Sequence, residues 1–395
     1  MNASLPAPPE PSMSALLPTL SPTSLLPIEL VRGAGAQLFD SADKAYWDFY
    51  GGHAVALLGQ GHPAWVAAIT EQAQTLSFVT TVAPLTVRDD AARALADFGR
   101  MDRVFFVNSG AEANEAALKV ARKATGREVI VAMESGFHGR TMACLGVTQS
   151  GRYRSQHSPV HGTVRFVPYG DLDALAAALD DTVAGVLIEP MQGIAGVIEP
   201  PAGFLAGART LCDEHGATLI FDEVQTGVGR TGLPFAWHAE PTSQPDLVTC
   251  GKSLGAGFPV AALLLTEAMS ATTSPGEHGT TFGAAPLACA AVSAVLQTVA
   301  RDDLLAGALR IGEAIASFAP GGAHAIPGVS AVRGRGCLLG VVLDRPAKPV
   351  VAALREHGII AGTANDPHCL RLAPPAILPA EALTDLHAAL RACLD

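Results

Sequence analysis

The chain contains five lysines, and one of them, Lys252, stands where an amine can react. Lys44 lies in a charged turn, Lys119 and Lys123 share one helical segment, and Lys348 sits among prolines. Lys252 instead follows the apolar run Leu247-Val248-Thr249-Cys250 and enters the glycine-rich turn Gly251-Lys252-Ser253-Leu254-Gly255-Ala256-Gly257. An amine held partly out of water there has its pKa drawn toward neutrality and its lone pair freed for attack on a carbonyl. A second apolar run, Thr218-Leu219-Ile220-Phe221, ends in Asp222 and Glu223, with Gln225 just beyond. An amine for a Schiff base and an acid opposite a ring nitrogen are the pair that an aldehyde-bearing pyridine cofactor requires. The plain alternative is a surface lysine after a buried strand. Carboxylates at a strand end weigh against it, because the carboxyl ends of strands carry the site in α/β proteins. Asp222 and Glu223 could also be read as a metal pair, but no His or Cys ligand accompanies them, so no metal is expected.

Two further segments have the right types of residue. Asn108-Ser109-Gly110-Ala111-Glu112 follows a strand-like run and opens a helix, with Ser109 as N-cap and Glu112 as its capping-box partner. Gly110 and Ala111 leave backbone N–H groups accessible at the positive end of the helix dipole, a cradle for a phosphate. Many helices begin this way without a ligand, so the motif gains meaning only beside Lys252. Phe137-His138-Gly139-Arg140-Thr141 offers a ring that could stack on a cofactor and a guanidinium fork for a carboxylate. A core phenylalanine and a solvated arginine fit that segment equally well, and His138 is expected to support the site rather than act in it.

These residues need a scaffold that brings strand ends together. From about residue 60 to 295 strand-like and helix-like segments alternate. Arg103–Val107, Glu128–Ala132, Gly162–Val167, Gly185–Glu189 and Leu219–Asp222 read as strands, and 111–124, 172–179 and 204–215 as helices. Such alternation predicts an α/β fold with a mainly parallel sheet covered on both faces. Val31 to Phe49 reads as a hairpin. Residues 332–343 read as two strands about a glycine turn, and 350–357 and 380–393 as helices, which predicts a smaller α+β domain completed by the N-terminal hairpin. The expected division is a tail over 1–27, the N-terminal part of the small domain over 28–58, a large cofactor-binding domain over 59–295, and the rest of the small domain over 296–395.

Bulk composition narrows the partners. A net charge of −11 with no basic cluster argues against nucleic acid. Only 16% of residues are charged, which predicts surface covered by a second subunit, and 49% are hydrophobic, enough for a large core. The uncharged stretch 279–300 is alanine-rich and contains Pro286, so it reads as a loop and a packed core helix rather than a membrane span. Seven scattered cysteines without CxxC spacing predict reduced thiols and a cytoplasmic protein. Residues 1–27, rich in Pro, Ser and Ala and free of Arg and Lys, are expected to form a mobile tail, not a targeting signal.

From about Leu30 onward the chain resembles the class III, fold-type I pyridoxal-phosphate aminotransferases, and in particular the acetylornithine and ornithine branch. The resemblance rests on Asn108 to Ala116, Phe137 to Thr141, Asp222 to Gly232, Lys252, Gly279 to Gly283 and Arg371 to Pro375, all in the family's order. It implies a seven-stranded sheet in the large domain and pyridoxal 5'-phosphate as cofactor. Lys252 would form the Schiff base and shuttle the proton, and Asp222 would keep the ring nitrogen protonated. Gln225 would lie near the phenolic oxygen, Phe137 would stack on the ring, and Glu189 would support the site floor. Ser109, Gly110 and Ala111 would hold the phosphate, with Thr280 and Thr281 reaching it from the other subunit of a homodimer.

The chain departs from that branch at Ile194, in Glu189-Pro190-Met191-Gln192-Gly193-Ile194, where the branch has a glutamate that masks the arginine matching Arg371. An isoleucine cannot neutralise Arg371. This predicts substrates with a carboxylate next to the reacting carbon, bound by Arg371, with Arg140 on a distal acid and His53 at the site entrance. The reaction expected is amino transfer between an amino acid, acetylornithine-like or another ω- or α-amino donor, and a 2-oxo acid such as 2-oxoglutarate. The alternatives are a racemase or aminomutase with the same cofactor, or a non-catalytic binding protein of the same fold.

Overall fold

A computed structural model describes residues 26–149, 153 and 163–395. The expectations for residues 1–25, and for the start of the strand at 162, lie outside the described residues.

The centre is a seven-stranded sheet built from β4 (Arg103–Val107), β5 (Val129–Met133), β6 (Val164–Val167), β7 (Val183–Ile188), β8 (Thr218–Asp222), β9 (Leu247–Cys250) and β10 (Ala261–Leu265), in the order β4-β10-β9-β8-β7-β5-β6. From β9 through β6 every neighbour is parallel, while β10 runs antiparallel to both β9 and β4. Because β4 lies two antiparallel steps from β9, it points the same way. The carboxyl ends of β4, β5, β7, β8 and β9 therefore share one edge. The strands read as continuous apolar runs because both faces are covered. On one face Ile130, Ala132, Leu187, Ile220 and Leu263 meet Ala116, Ala117, Val120 and Ala121 of the helix Gly110–Thr125, whose alanines let it lie close to the sheet. On the other, Val131, Met133, Val186, Ile188, Leu219 and Phe221 join a larger core with Phe204, Ala208 and Phe235.

Two smaller sheets flank this one. β1 (Leu30–Ala34), β2 (Gln37–Asp40) and β3 (Ala45–Asp48) form antiparallel pairs, and β3 adds the short parallel strand β13 (Ile359–Ile360), so the first described strands are tied to the last hundred residues. The other sheet is built from β11 (Val329–Arg335), β12 (Leu338–Leu343), β14 (Gly362–Thr363) and β15 (Cys369–Leu372), in the order β11-β12-β15-β14. The helix expected over 350–357 spans Ala347–Glu356. It starts early because Pro349 falls in the first turn, where no N–H is bonded within the helix. Pro286–Arg301 is the packed core helix expected, with Cys289, Ala291, Val292 and Val295 fully buried. Among the described residues no helix is long and apolar enough to cross a membrane.

Candidate active site

The shared strand edge opens into a cavity of about 370 Å³ lined by Ser109, Gly110, Ala111, Phe137, Glu189, Ile194, Asp222, Gln225 and Lys252, with Asn114 and His138. Of these, only Asn114 was not expected from the sequence as a site residue or a support. Ser109 caps its helix by accepting from the Glu112 N–H at 3.3 Å, and the Glu112 carboxylate reaches back to the Asn108 N–H at 2.8 Å. A Cβ at Gly110 would lie 2.6 Å from Val224 Cγ1, so the first turn admits no side chain on that side. Ser109, Gly110 and Ala111 of that turn line the cavity, where an anion would meet the helix dipole.

Asp222 is 4% exposed and held on every side. Its Oδ2 lies 2.7 Å from His138 Nδ1 and accepts from Asn114 Nδ2 at 2.8 Å, while Oδ1 accepts from the Val224 N–H at 3.0 Å. Asn114 donates also to the His138 carbonyl at 2.8 Å and accepts from Thr249 Oγ1 at 2.7 Å. Burial would push the Asp222 carboxyl up; the hydrogen bond and charge of His138 outweigh it and hold the pKa below its ordinary value. Burial likewise opposes the His138 proton, but Asp222 overcomes it and raises the imidazole pKa. The pair therefore presents a carboxylate whose charged form the His138 imidazole favours. Glu189 accepts from the Phe137 N–H at 2.8 Å, and burial raises its pKa to about 7. Burial brings Lys252 down to about 8, so at neutral pH about a tenth of it carries a free lone pair.

Glu223 turns away from the cavity. Its oxygens accept from the N–H groups of Ala236 and Trp237 and from Thr226 Oγ1, each at 2.8 Å, so it braces the following loop. No group of His, Cys, Asp and Glu among the described residues is arranged to hold a metal ion.

Five expected residues do not line the cavity: His53, Arg140, Thr280, Thr281 and Arg371. Arg371 is 4% exposed on β15, close enough for its charge to help lower Lys252. Its Nη2 reaches His53 Nδ1 at 3.3 Å, and its buried Nη1 has no partner among the described residues. His53 is within hydrogen-bond distance of the Tyr50 hydroxyl, and burial with the nearby cations lowers its pKa to about 4, leaving it neutral. It stands on a left-handed turn, Gly51–Ala54, with φ of 57°, 57°, 64° and 69° in order. Asp48 Oδ1 caps the turn by accepting from the Tyr50 and Gly51 N–H groups. Arg140 is exposed, its guanidinium carbon 6.0 Å from the Phe137 ring centre and 5.0 Å from that of Tyr153. Thr280 Oγ1 accepts from Asn108 Nδ2 at 2.9 Å, and Thr281 is exposed beside Phe282.

Sequence reasoning missed both Asn114 and Tyr50. Asn114 had a signal: it shares a helical stripe with Ala117, Leu118 and Ala121, and an amide among buried apolar residues needs a partner. Tyr50 had none.

A model of the family described as aminotransferase class-III matches residues 21–394. The chain belongs to the class-III aminotransferases. It is 44% identical to the acetylornithine aminotransferase of Mycolicibacterium smegmatis, over 93% of this chain and 94% of that protein. Among solved structures, the acetylornithine aminotransferase of Elizabethkingia anophelis superposes with a TM-score of 0.81 at 30% identity, covering 95% of each chain. An amine transaminase from an uncultivated Pseudomonas, solved in its PLP-bound form, superposes with a TM-score of 0.86 at 26% identity, covering 96% of this chain and 98% of that one. The chain is thus a pyridoxal-phosphate-dependent aminotransferase of fold type I. The residues present fit that cofactor. Gln225 lines the cavity with its Oε1 buried and without a partner among the described residues, and Gly193 leaves the space that the amide occupies, since a Cβ there would overlap Oε1.

Proposed function

We propose that this aminotransferase exchanges amino groups between the dicarboxylates glutamate and 2-oxoglutarate and a second amino acid that reacts at the carbon next to its carboxylate. Pyridoxal phosphate supplies a carbonyl for the amine and a ring that accepts electrons from the reacting carbon. The chain's own residues do the rest. Lys252 gives the amine and moves the proton at its Nζ. Asp222, backed by His138 and Asn114, holds a proton on the ring nitrogen. The Phe137 ring and Val224 would bound the ring's faces, Gln225 would meet the phenolic oxygen, and Glu189 would support the floor. Ser109, Gly110 and Ala111 would hold the phosphate.

The buried, unpartnered Nη1 of Arg371 carries the substrate reading. A guanidinium out of water with an open donor is expensive unless a ligand completes it, and a carboxylate does so. The neutral His53 occupies the other nitrogen without cancelling the charge. Ile194 lines the cavity where a masking acid would have to stand. Arg140 then takes the distal acid of a dicarboxylate.

A second reading, that the donor is acetylornithine, is favoured by the 44% identity to an acetylornithine aminotransferase. A terminal-amine donor brings no carboxylate near its reacting carbon, and losing the charged contact to Arg371 costs roughly 1–3 kcal/mol. Ile194→Glu is expected to raise kcat/KM for acetylornithine relative to glutamate by about tenfold or more, the equivalent of about 1.4 kcal/mol. A panel of donors and acceptors on both proteins measures the ratio. Efficient acetylornithine turnover by the unaltered chain, with no relative gain in the variant, would reject the unmasked-arginine reading.

The enzyme is read as a cytoplasmic homodimer, with a large cofactor domain and a smaller one divided as the sequence suggests. All seven cysteines are free, which supports the compartment. Phe282 is 62% exposed and packs on Phe78, itself 40% exposed, and Val82 is 87% exposed, an apolar rim beside Thr281 that suits a second copy. Thr280 and Thr281 then serve the partner's phosphate. An inactive Lys252→Ala protein mixed with an inactive Thr281 variant should recover activity through hybrid dimers, up to about a quarter of the unaltered rate for random exchange with one intact site in each hybrid. No recovery after subunit exchange has been verified would return both threonines to their own subunit.

A further inference from the structure

Arg230 is fully buried, and among the described residues no carboxylate forms an ion pair with it. Its guanidinium collects oxygens from separate stretches of chain. Nη2 donates to the Ala54 carbonyl at 3.0 Å and lies 3.4 Å from Ser253 Oγ, while Nη1 donates to the carbonyls of Ala373 at 3.3 Å and Pro374. Ser253 Oγ also donates to the Ala54 carbonyl at 3.1 Å, and the Arg230 carbonyl accepts from the Cys337 N–H at 2.8 Å. Burial lowers the Arg230 pKa only to about 10, so it remains a cation at neutral pH.

The partners are not arbitrary. Ala54 follows His53, Ser253 follows Lys252, and Ala373 and Pro374 lie two and three residues beyond Arg371. The three segments come from the left-handed turn, the end of β9 and the end of β15, which belong to different sheets or to none. No other described hydrogen-bonding side chain joins all three. We propose that Arg230 is a positioning residue that fixes the distance and angle between the Lys252 amine and the carboxylate-binding group Arg371, and so sets which substrate lengths react. A planar fork with donors at fixed angles can do this; a lysine ammonium, a single point of charge on a flexible stem, cannot serve the same oxygens together. The inference rests on the reading of Arg371 as the carboxylate site.

The test uses the full chain loaded with pyridoxal phosphate and two variants, Arg230→Lys and the milder Ser253→Ala, which removes one bridging hydroxyl. Borohydride trapping with peptide mapping reports whether Lys252 still engages the cofactor. Both kcat and KM are then measured for 2-oxo dicarboxylates one methylene shorter and longer than 2-oxoglutarate. Trapping on Lys252 is expected to persist, while kcat falls by up to about 100-fold in Arg230→Lys, the effect of a misplacement near 1 Å. The ratio of kcat/KM between short and long acceptors should shift at least about threefold in Arg230→Lys and in the same direction, by less, in Ser253→Ala. A merely structural role would lower the melting temperature and all rates together. An unchanged ratio in both variants overturns the proposal, whatever the rates do. Arg371→Ala in the same assay separates the two readings: if 2-oxoglutarate keeps its KM in that variant, it is the carboxylate assignment that fails.

Discussion

Lys252→Ala is expected to lose at least about 10⁴-fold in turnover, because in the proposed mechanism one side chain is both the nucleophile and the proton carrier. The cofactor should still bind through the phosphate cradle, Asp222 and Gln225, so loss of activity with retained pyridoxal phosphate is the signature. Borohydride labelling of the unaltered protein should fall on Lys252 alone; a label on any other lysine rejects the assignment. The same variant should be more stable than its parent when both are stripped of cofactor. The folded-state pKa of about 8 lies below the ordinary 10.5 for a lysine, so the charged form is disfavoured by folding. That penalty is fully present below about pH 8 and fades as pH rises toward 10.5. Since water reaches the cavity, it amounts to about 1–2 kcal/mol at neutral pH. A melting temperature raised at pH 7 but not at pH 10.5 would be the confirming pattern, and a drop at pH 7 would reject it.

Asp222→Ala ranks second. A carboxylate about 4 Å from a protonated ring nitrogen contributes on the order of 4 kcal/mol at an effective dielectric of 20, or about three decades in rate. Unlike the lysine, Asp222 also holds its surroundings. Its loss strands the His138 imidazole and an Asn114 donor in the interior, at about 1–3 kcal/mol of stability. Asp222→Asn keeps most of the shape and separates the two effects. It should still lose about 10³-fold in kcat. Without the carboxylate, the His138 pKa should fall, because Asp222 is what raises it. Histidine NMR on both proteins measures that shift. Near-normal kcat in Asp222→Asn would remove the aspartate from the mechanism.

The fold and much of the cavity lining were legible because each depends on local pattern. Apolar runs ending in Asp222, Glu189 or Lys252 announce both a buried strand and what lies at its end. β10 was not legible: Ala261–Leu265 is a uniform apolar run with no period to distinguish it, and its antiparallel placement comes from the chain turning back after the Lys252 loop. β15 was hidden similarly, so the sequence marked Arg371 without the strand that carries it. The links between Asp222, His138 and Asn114 cross gaps of 84 and 108 residues, and no periodicity carries information over such distances. Glu223 misleads for the opposite reason. It stands next to Asp222 in the chain but just past the end of β8, where its carboxylate turns to the Ala236 and Trp237 N–H groups, so one serves the cavity and the other the scaffold.

The turn that carries His53 limits what can replace it. A left-handed backbone costs most L-residues roughly 1–2 kcal/mol each, with Asn and Asp the usual exceptions and glycine exempt. At Gly51 a Cβ would collide with the Ala373 carbonyl, so that position is closed, while at Gly52 the space is open but the backbone still selects. Position 53 therefore favours Gly, Asn and Asp and penalises other side chains without barring them, since Val197 and Val228 adopt the same left-handed backbone at φ of 54° and 56°. Asparagine keeps a neutral acceptor for Arg371, aspartate would cancel its charge, and glycine would leave it bare. If Arg371 is the carboxylate site proposed above, exchanges at position 53 would retune how strongly a carboxylate is held, and the backbone rather than the substrate would rank which of them the fold tolerates.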